Sequence, residues 1–162
     1  MSEFEQLIDA NAGRLHRLCR AYSDSPESAA DLQQEILLQL WRAWPSFAGR
    51  SSAATWLYRV ALNTAISQLR RRPPATVDDS PDEQPSQEPG PQAVNEQQQA
   101  FEALAQALQS FNEVDRALML LYLEQYSYQE IADVLGLSSN AVGVKVNRLK
   151  KRLAKALQED NR

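Results

Sequence analysis

Apolar residues in this chain recur at three- and four-residue steps, and no stretch keeps the period of two that a half-buried strand needs. Phe4, Leu7, Ile8, Leu15, Leu18, Cys19 and Tyr22 hold one phase and predict a first amphipathic helix. Ser25 suits an N-cap, and Pro26 suits the first helical position, where its missing N–H costs nothing. The helix they open has Ala29, Gln33, Ile36, Leu37, Leu40, Trp41 and Trp44 as its inward stripe and ends at Pro45. Its opposite face carries Asp31, Gln34, Glu35 and a lone leucine, Leu38. That face is either plain wet surface or a dock for a basic partner helix. After a loop containing Gly49, Ala53 to Arg72 reads as a third helix with Leu57, Ala61, Leu62, Ala65 and Leu69 inward. Pro73 and Pro74 end it.

Residues 73–95 hold six of the eight prolines together with Ser, Gln, Asp and Glu, and almost no large apolar side chain. Such a composition predicts an extended linker between two domains. Helical spacing returns with Phe101, Leu104, Ala105 and Leu108, then with Val114, Ala117, Leu118, Leu121 and Tyr122. Ser127-Tyr-Gln-Glu130 is a capping-box pattern opening a helix through Ile131, Ala132 and Leu135. Gly136 follows as a left-handed turn, Leu137 fills the corner, and Ser138 caps a last helix containing Val142, Val146, Leu149 and Leu153. The spacing of Ala132, Gly136 and Val142 is that of a helix-turn-helix over 127–153: a close approach, a bend and a locked crossing.

Charge changes the picture. The formal net charge of −4 argues against nucleic acid only until it is resolved by segment. Residues 41–72 carry six basic and no acidic side chains, as do residues 137–157, whereas 73–100 carry six acidic and no basic ones. In the first basic stretch Trp41, Trp44, Phe47, Trp56 and Tyr58 are interleaved with the arginines. Guanidinium groups attract phosphates, and flat aromatic faces stack on unpaired bases. Trp56, Arg59, Asn63, Ser67 and Arg70 share one helix face. Taken alone, this stretch fits a single-strand surface or a solvated face beside buried tryptophans. In the second stretch Lys145, Arg148, Lys150, Lys151, Arg152 and Lys155 sit on the second helix of the helix-turn-helix, which points to DNA.

Other chemistry is sparse. One cysteine, Cys19, and one histidine, His16, cannot build a structural metal site or a disulfide. No Ser–His–Asp set, phosphate loop or metal cluster is apparent, so neither enzyme activity, cofactor nor small-molecule substrate is expected. With no run of eighteen apolar residues and no signal-peptide pattern, a cytoplasmic protein without membrane insertion is expected.

Asp31-Leu-Gln-Gln-Glu35, Leu40-Trp41-Arg42, Phe47-Ala-Gly49 and Thr55-Trp-Leu-Tyr-Arg-Val-Ala-Leu-Asn63 together resemble region 2 of bacterial sigma-70 factors, most closely the extracytoplasmic-function (ECF) group. Ser127 through Arg148 is similar to region 4 of the same family. The resemblance implies an all-α protein of two small helical domains, 1–72 and 96–162, joined by the acidic, proline-rich segment 73–95. It implies binding to core RNA polymerase through Asp31, Gln34 and Glu35, with Leu38 beside them. The loop from Ser46 to Ser52, with Phe47, Arg50 and Ser51, would receive a flipped non-template base. Trp56, Arg59 and Asn63, continued by Ser67 and Arg70, would melt and read the downstream promoter element. Ser138, Asn140, Gly143, Val144, Lys145, Asn147, Arg148, Lys150 and Lys151 would address the upstream element as duplex. A separate anti-sigma factor is the implied regulator, since no further domain is expected after Arg162.

Two departures stand out. Phe111-Asn112 replaces the usual Leu-Pro, and Gly143-Val144 replaces a basic residue followed by a hydroxyl. Glycine offers no side chain to a base, while valine can meet a thymine methyl. Base reading is then expected to move to shape and to Lys145, Asn147 and Arg148, with Lys150 and Lys151 serving phosphates. The competing function is a helix-turn-helix regulator whose N-terminal half only dimerises or senses.

Overall fold

The computed structural model describes residues 2–49, 51–71 and 96–160, so Arg50 and the linker 73–95 lie outside the described residues. Within them every regular element is helical: α1 (Glu3–Ala10), α2 (Ala12–Ala21), α3 (Pro26–Ala43), a 3-10 turn (Trp44–Ser46), α4 (Ala53–Arg71), α5 (Glu96–Leu108), α6 (Glu113–Leu123), α7 (Tyr128–Leu135) and α8 (Ser139–Asp160). Helices α1–α4 form one bundle and α5–α8 the other, the all-α, two-unit architecture expected from the sequence.

Local chemistry sets the boundaries. Ser2 and Glu5 close a capping box at the start of α1. The single first helix expected from 4–22 is in fact two. Asn11 turns its side-chain amide back to donate to the Leu7 carbonyl at 2.9 Å, and its backbone leaves the helical region at φ −114°, ψ 15°. The apolar phase is unchanged across this break, which is why periodicity could not reveal it. Ser25 caps α3 by accepting from the Ser28 N–H at 3.0 Å, as predicted.

The inward stripe of α3 needs correcting. Its buried residues are Ala29, Leu32, Ile36 and Leu40, whereas Trp41 is 62% exposed. Tyr58, grouped with the base-stacking aromatics above, is wholly buried beside Leu57, Ala61 and Leu62. Alternation of arginine and aromatic in sequence does not reveal which aromatic the helix turns inward.

In the second bundle Phe111 is buried and the Asn112 side chain accepts from the Asp115 N–H at 2.8 Å. Asparagine therefore caps α6 where the family's proline would stand. Ser127 and Glu130 form their capping box, and Gly136 takes φ 73°, ψ 33° with its N–H on the Ala132 carbonyl. Ser138 accepts from the Ala141 N–H at 3.1 Å to open α8. Ala132, Val142, Val146 and Leu149 are buried between α7, α8 and α6.

The two bundles pack against each other. Arg14, Arg17 and Arg20, one turn apart on α2, face α5 and the end of α6. Arg17 grips Glu124 with both prongs, and Arg20 holds Glu102 at 2.6–2.9 Å. Arg14 donates to the Tyr126 hydroxyl at 3.2 Å and lies 4.9 Å from that ring's centre. The buried Arg116 of α6 donates to the Ala21 carbonyl at 3.1 Å and to Phe111 at 3.1 Å, and stacks over Tyr22. Burial pulls its pKa below the ordinary arginine value. Tyr22 donates to the Glu113 carbonyl at 2.8 Å, and Gln109 to Ala21 and Ser23. Arginines that the sequence reading passed over are thus the fasteners between the bundles.

Candidate nucleic-acid interface

The turn after α3 and the first turn of α4 form an aromatic knot. Pro45 follows Trp44 into a 3-10 turn, whose end bonds Phe47 N–H to the Trp44 carbonyl at 3.0 Å. Ser52 then caps α4 through the Thr55 N–H at 3.1 Å, bringing Trp56 back over the turn. Trp44 and Phe47 stack with centroids 5.7 Å apart, and Phe47 and Trp56 lie 5.1 Å apart. Phe4 of α1 braces the group from the other side, against Trp41 at 5.4 Å and Trp44 at 5.5 Å. Such contacts hold rings rigidly in place.

Beside this knot opens a depression of about 280 Å³ lined by Ser46, Phe47, Ala48, Ser51, Trp56 and Arg59. It combines two aromatic walls, two hydroxyls and one guanidinium, a set able to hold a flat, polar-edged ring near a phosphate. Gly49 sits at φ 74° in the loop that frames it, a conformation that favours glycine. Phe47, Ser51, Trp56 and Arg59 of the sequence-derived set therefore converge on one cavity; Arg50 lies outside the described residues.

Asn63 and Ser67 continue from that cavity along the exposed face of α4. They look into a groove shared with α3, where Glu35, Gln39 and Arg71 also line the wall. Asp31, Gln34 and Leu38 are exposed on α3, while Glu35 is half-buried and turned toward the groove. Arg70 parts from its stripe: it reaches across the bundle boundary and donates from Nε to Glu113 at 2.6 Å.

On α8 the candidate residues divide by face. Val144 is 66% exposed, and Asn140, Asn147, Arg148 and Lys151 are exposed with it. Lys145 is turned toward α6, with Nζ 3.9 Å from Asp115, and Arg152 shares that carboxylate at 4.0 Å. Lys150 lies over the Tyr122 ring at 5.6 Å. Ser138 serves as the cap. Gly143 faces α7, where the Tyr128 ring waits 3.5 Å from the position of a Cβ. Tyr128 was absent from the sequence-derived set. Its place in the capping-box motif marked it as the first residue of a helix but gave no sign of its facing Gly143.

Among the described residues no group of three or more His, Cys, Asp or Glu side chains could hold a metal, and no helix is long and apolar enough to cross a membrane.

An aromatic-lined depression with one guanidinium in one helical bundle and a basic, exposed helix-turn-helix in the other define a two-bundle protein of the all-α class. The Sigma-70 region 2 family matches residues 7–73, and the Sigma-70 region 4 family matches residues 101–153. The chain belongs to the sigma-70 family of RNA polymerase sigma factors, in its ECF group. It is 34% identical over 160 residues to the ECF RNA polymerase sigma factor SigG of Mycobacterium tuberculosis, covering 83% of this chain and 43% of that protein. The chain therefore spans less than half the length of that relative. Over 166 residues it is 32% identical to the RNA polymerase sigma-H factor of Pseudomonas aeruginosa, covering 96% of this chain and 86% of the relative. Its fold is similar to that of the sigma factor RpoE in complex with the anti-sigma factor NepR from Bartonella quintana (TM-score 0.74, 21% identity, 98% of each chain covered).

Proposed function

We propose that this chain directs core RNA polymerase to specific promoters and opens them, acting in the cytoplasm and without catalysis of its own. The convergence of Phe47, Ser51, Trp56 and Arg59 on one cavity carries this reading. A regulator that only dimerises through its N-terminal bundle has no use for a rigid aromatic pocket continued by Asn63 and Ser67. In the proposed division of labour, Asp31, Gln34, Glu35 and Leu38 meet a basic surface of the polymerase. The cavity takes an unpaired base, and the exposed face of α8 enters the major groove upstream. Family membership and the whole-length likeness to sigma-H support the same assignment.

The polar faces also suit a protein inhibitor. RpoE is known in complex with the anti-sigma factor NepR, and a partner of that kind is proposed here as well. The deciding experiment is run-off transcription with bacterial core polymerase, with and without this chain, on promoters selected from a random pool. Transcription that depends on the chain, and is lost on reversing Asp31 and Glu35 to Lys with helicity unchanged, is the expected result. Palindromic-site binding with no polymerase dependence would sink the proposal.

A further inference from the structure

Gly143 and Val144 occupy the opening turns of the helix that the reading above lays in the major groove. The missing side chain at 143 leaves a gap on that helix. The ring of another residue faces it. An ideal Cβ on Gly143 would sit 3.5 Å from Cε2 and 3.7 Å from Cδ2 of Tyr128, so the tyrosine ring faces the glycine with room for a methyl between them. Tyr128 is 41% exposed although it faces α8, and Val144, the next residue, is the most exposed large apolar side chain described. The ring faces Gly143, next in sequence to Val144, and Asn147, Arg148 and Lys151 are exposed on the face of α8 that Val144 opens.

The neighbours of Tyr128 are tied down. Ser127 and Glu130 satisfy each other in the capping box. Gln129 accepts from the Ser139 hydroxyl at 3.0 Å and donates to Asp133 at 3.2 Å. Within the first turn of α7, Tyr128 is the residue whose ring faces α8 and still reaches solvent. An apolar surface inside a cationic rim, at the start of a groove-entering helix, matches one feature of duplex DNA: the thymine C5-methyl, which projects into the major groove among phosphates.

We propose that Tyr128 is a specificity-determining residue of this protein. Facing Gly143, its ring joins Val144 to form an apolar shelf that selects a thymine methyl in the upstream element. The proposal rests on the sigma-factor reading and adds to it a base contact made from the first helix of the helix-turn-helix rather than the second. A side chain longer than alanine at 143 would then compete with the ring for this place.

The test uses the full chain with core polymerase and an upstream duplex selected from a random pool. Each thymine is replaced in turn by deoxyuridine, which removes the methyl and nothing else. One or two replacements should weaken binding about three- to fivefold, the worth of one buried methyl. Tyr128→Ala should erase that sensitivity, while Tyr128→Phe, which keeps the ring, retains it. Circular dichroism of both variants checks the fold. Three results would overturn the proposal: indifference of the wild type to every deoxyuridine, persistence of the sensitivity in Tyr128→Ala, or loss in Tyr128→Phe of affinity for all sequences alike. The last would make the hydroxyl a phosphate contact. If the chain supports no polymerase-dependent transcription, the parent reading fails instead, and the two failures are distinct.

Discussion

Arg17 and Glu124, 107 positions apart, meet in a two-pronged ion pair, Nε to Oε2 at 2.6 Å and Nη2 to Oε1 at 2.7 Å. Glu124 is 9% exposed and Arg14 is its other cation, at 3.7 Å. The hydrogen bond to the carboxylate raises the Arg17 pKa further above its ordinary range. The pair joins α2 of the first bundle to the end of α6 in the second.

Removing Arg17 leaves a nearly buried carboxylate to Arg14 alone. Because Arg17 itself is partly exposed, Arg17→Ala should cost about 1–2 kcal/mol, below the full penalty for breaking a buried pair. Urea denaturation measures it, and the double exchange Arg17→Glu with Glu124→Arg should recover part of the loss. A neutral Arg17→Ala would mean that the bundles do not rely on this contact.

Tyr58 is fully buried, and its hydroxyl has no hydrogen-bond partner among the described residues. Burial raises its pKa well above the ordinary value. Tyr58→Phe removes an unsatisfied polar atom and keeps the ring that stands 5.5 Å from Tyr126. The expected change is a gain of about 1 kcal/mol. A clear fall in melting temperature would indicate a partner for the hydroxyl.

Cys19 is buried, and its thiol is pushed from 9.0 up to about 12 by loss of solvent. In the native protein it should ignore a disulfide-exchange reagent at about pH 8 and react once denaturant is added. The unfolded thiol ionises first. Its contribution to stability is therefore complete below 9.0 and is lost as pH climbs toward 12. Cys19→Ala should show a shallower decline over that interval than the wild type; identical slopes would remove the assignment.

On the proposed reading, Asn63 and Trp56 act in melting rather than in binding closed duplex. Asn63 is exposed, so Asn63→Ala should leave stability unchanged while reducing permanganate reactivity of promoter thymines in the open complex. Trp56 also packs on Trp44 and Phe47, so Trp56→Ala should lose both the cavity and some stability. A lost stacking contact is worth about 1–3 kcal/mol per base. Normal reactivity in both variants at saturating protein would count against the melting role.

Gly143→Ala should raise stability by roughly 0.5–1 kcal/mol, the helix penalty of glycine. The added Cβ meets Tyr128 at an ordinary contact distance. A destabilised variant would show that the ring is held more tightly than that.

Much of the fold was legible because helices declare themselves through caps and phase. Ser25, Ser127, Gly136 and Ser138 all act as their positions in the sequence suggested. The break at Asn11 was not, because it turns on one amide's choice of a nearby carbonyl while the apolar phase runs through it. Trp41, placed by spacing in the inward stripe, is exposed, and Tyr58, grouped with the arginine-interleaved aromatics, is buried: a periodic stripe admits either neighbour at its edge, and packing decides. Trp56 and Arg59 were readable from a shared helix face, Phe47 from its arginine-rich stretch, and Ser51 only through the family resemblance. A turn and a helix start bring the four together. Tyr128 and the arginines of α2 were not readable, since their partners lie across a turn or on another bundle.

The chemistry of the joint between the bundles fixes how it can come apart. Its fasteners are guanidinium forks, carboxylates, phenols and main-chain carbonyls, and water can solvate every one of them. Apolar surface is buried alongside them, since one apolar cluster runs through both bundles and the Tyr58 ring stands 5.5 Å from Tyr126 across the seam. Rising ionic strength should therefore slacken the ion pairs of the seam while the apolar contacts across it hold, so that salt softens the joint without parting it, as an unchanged small-angle scattering profile would register.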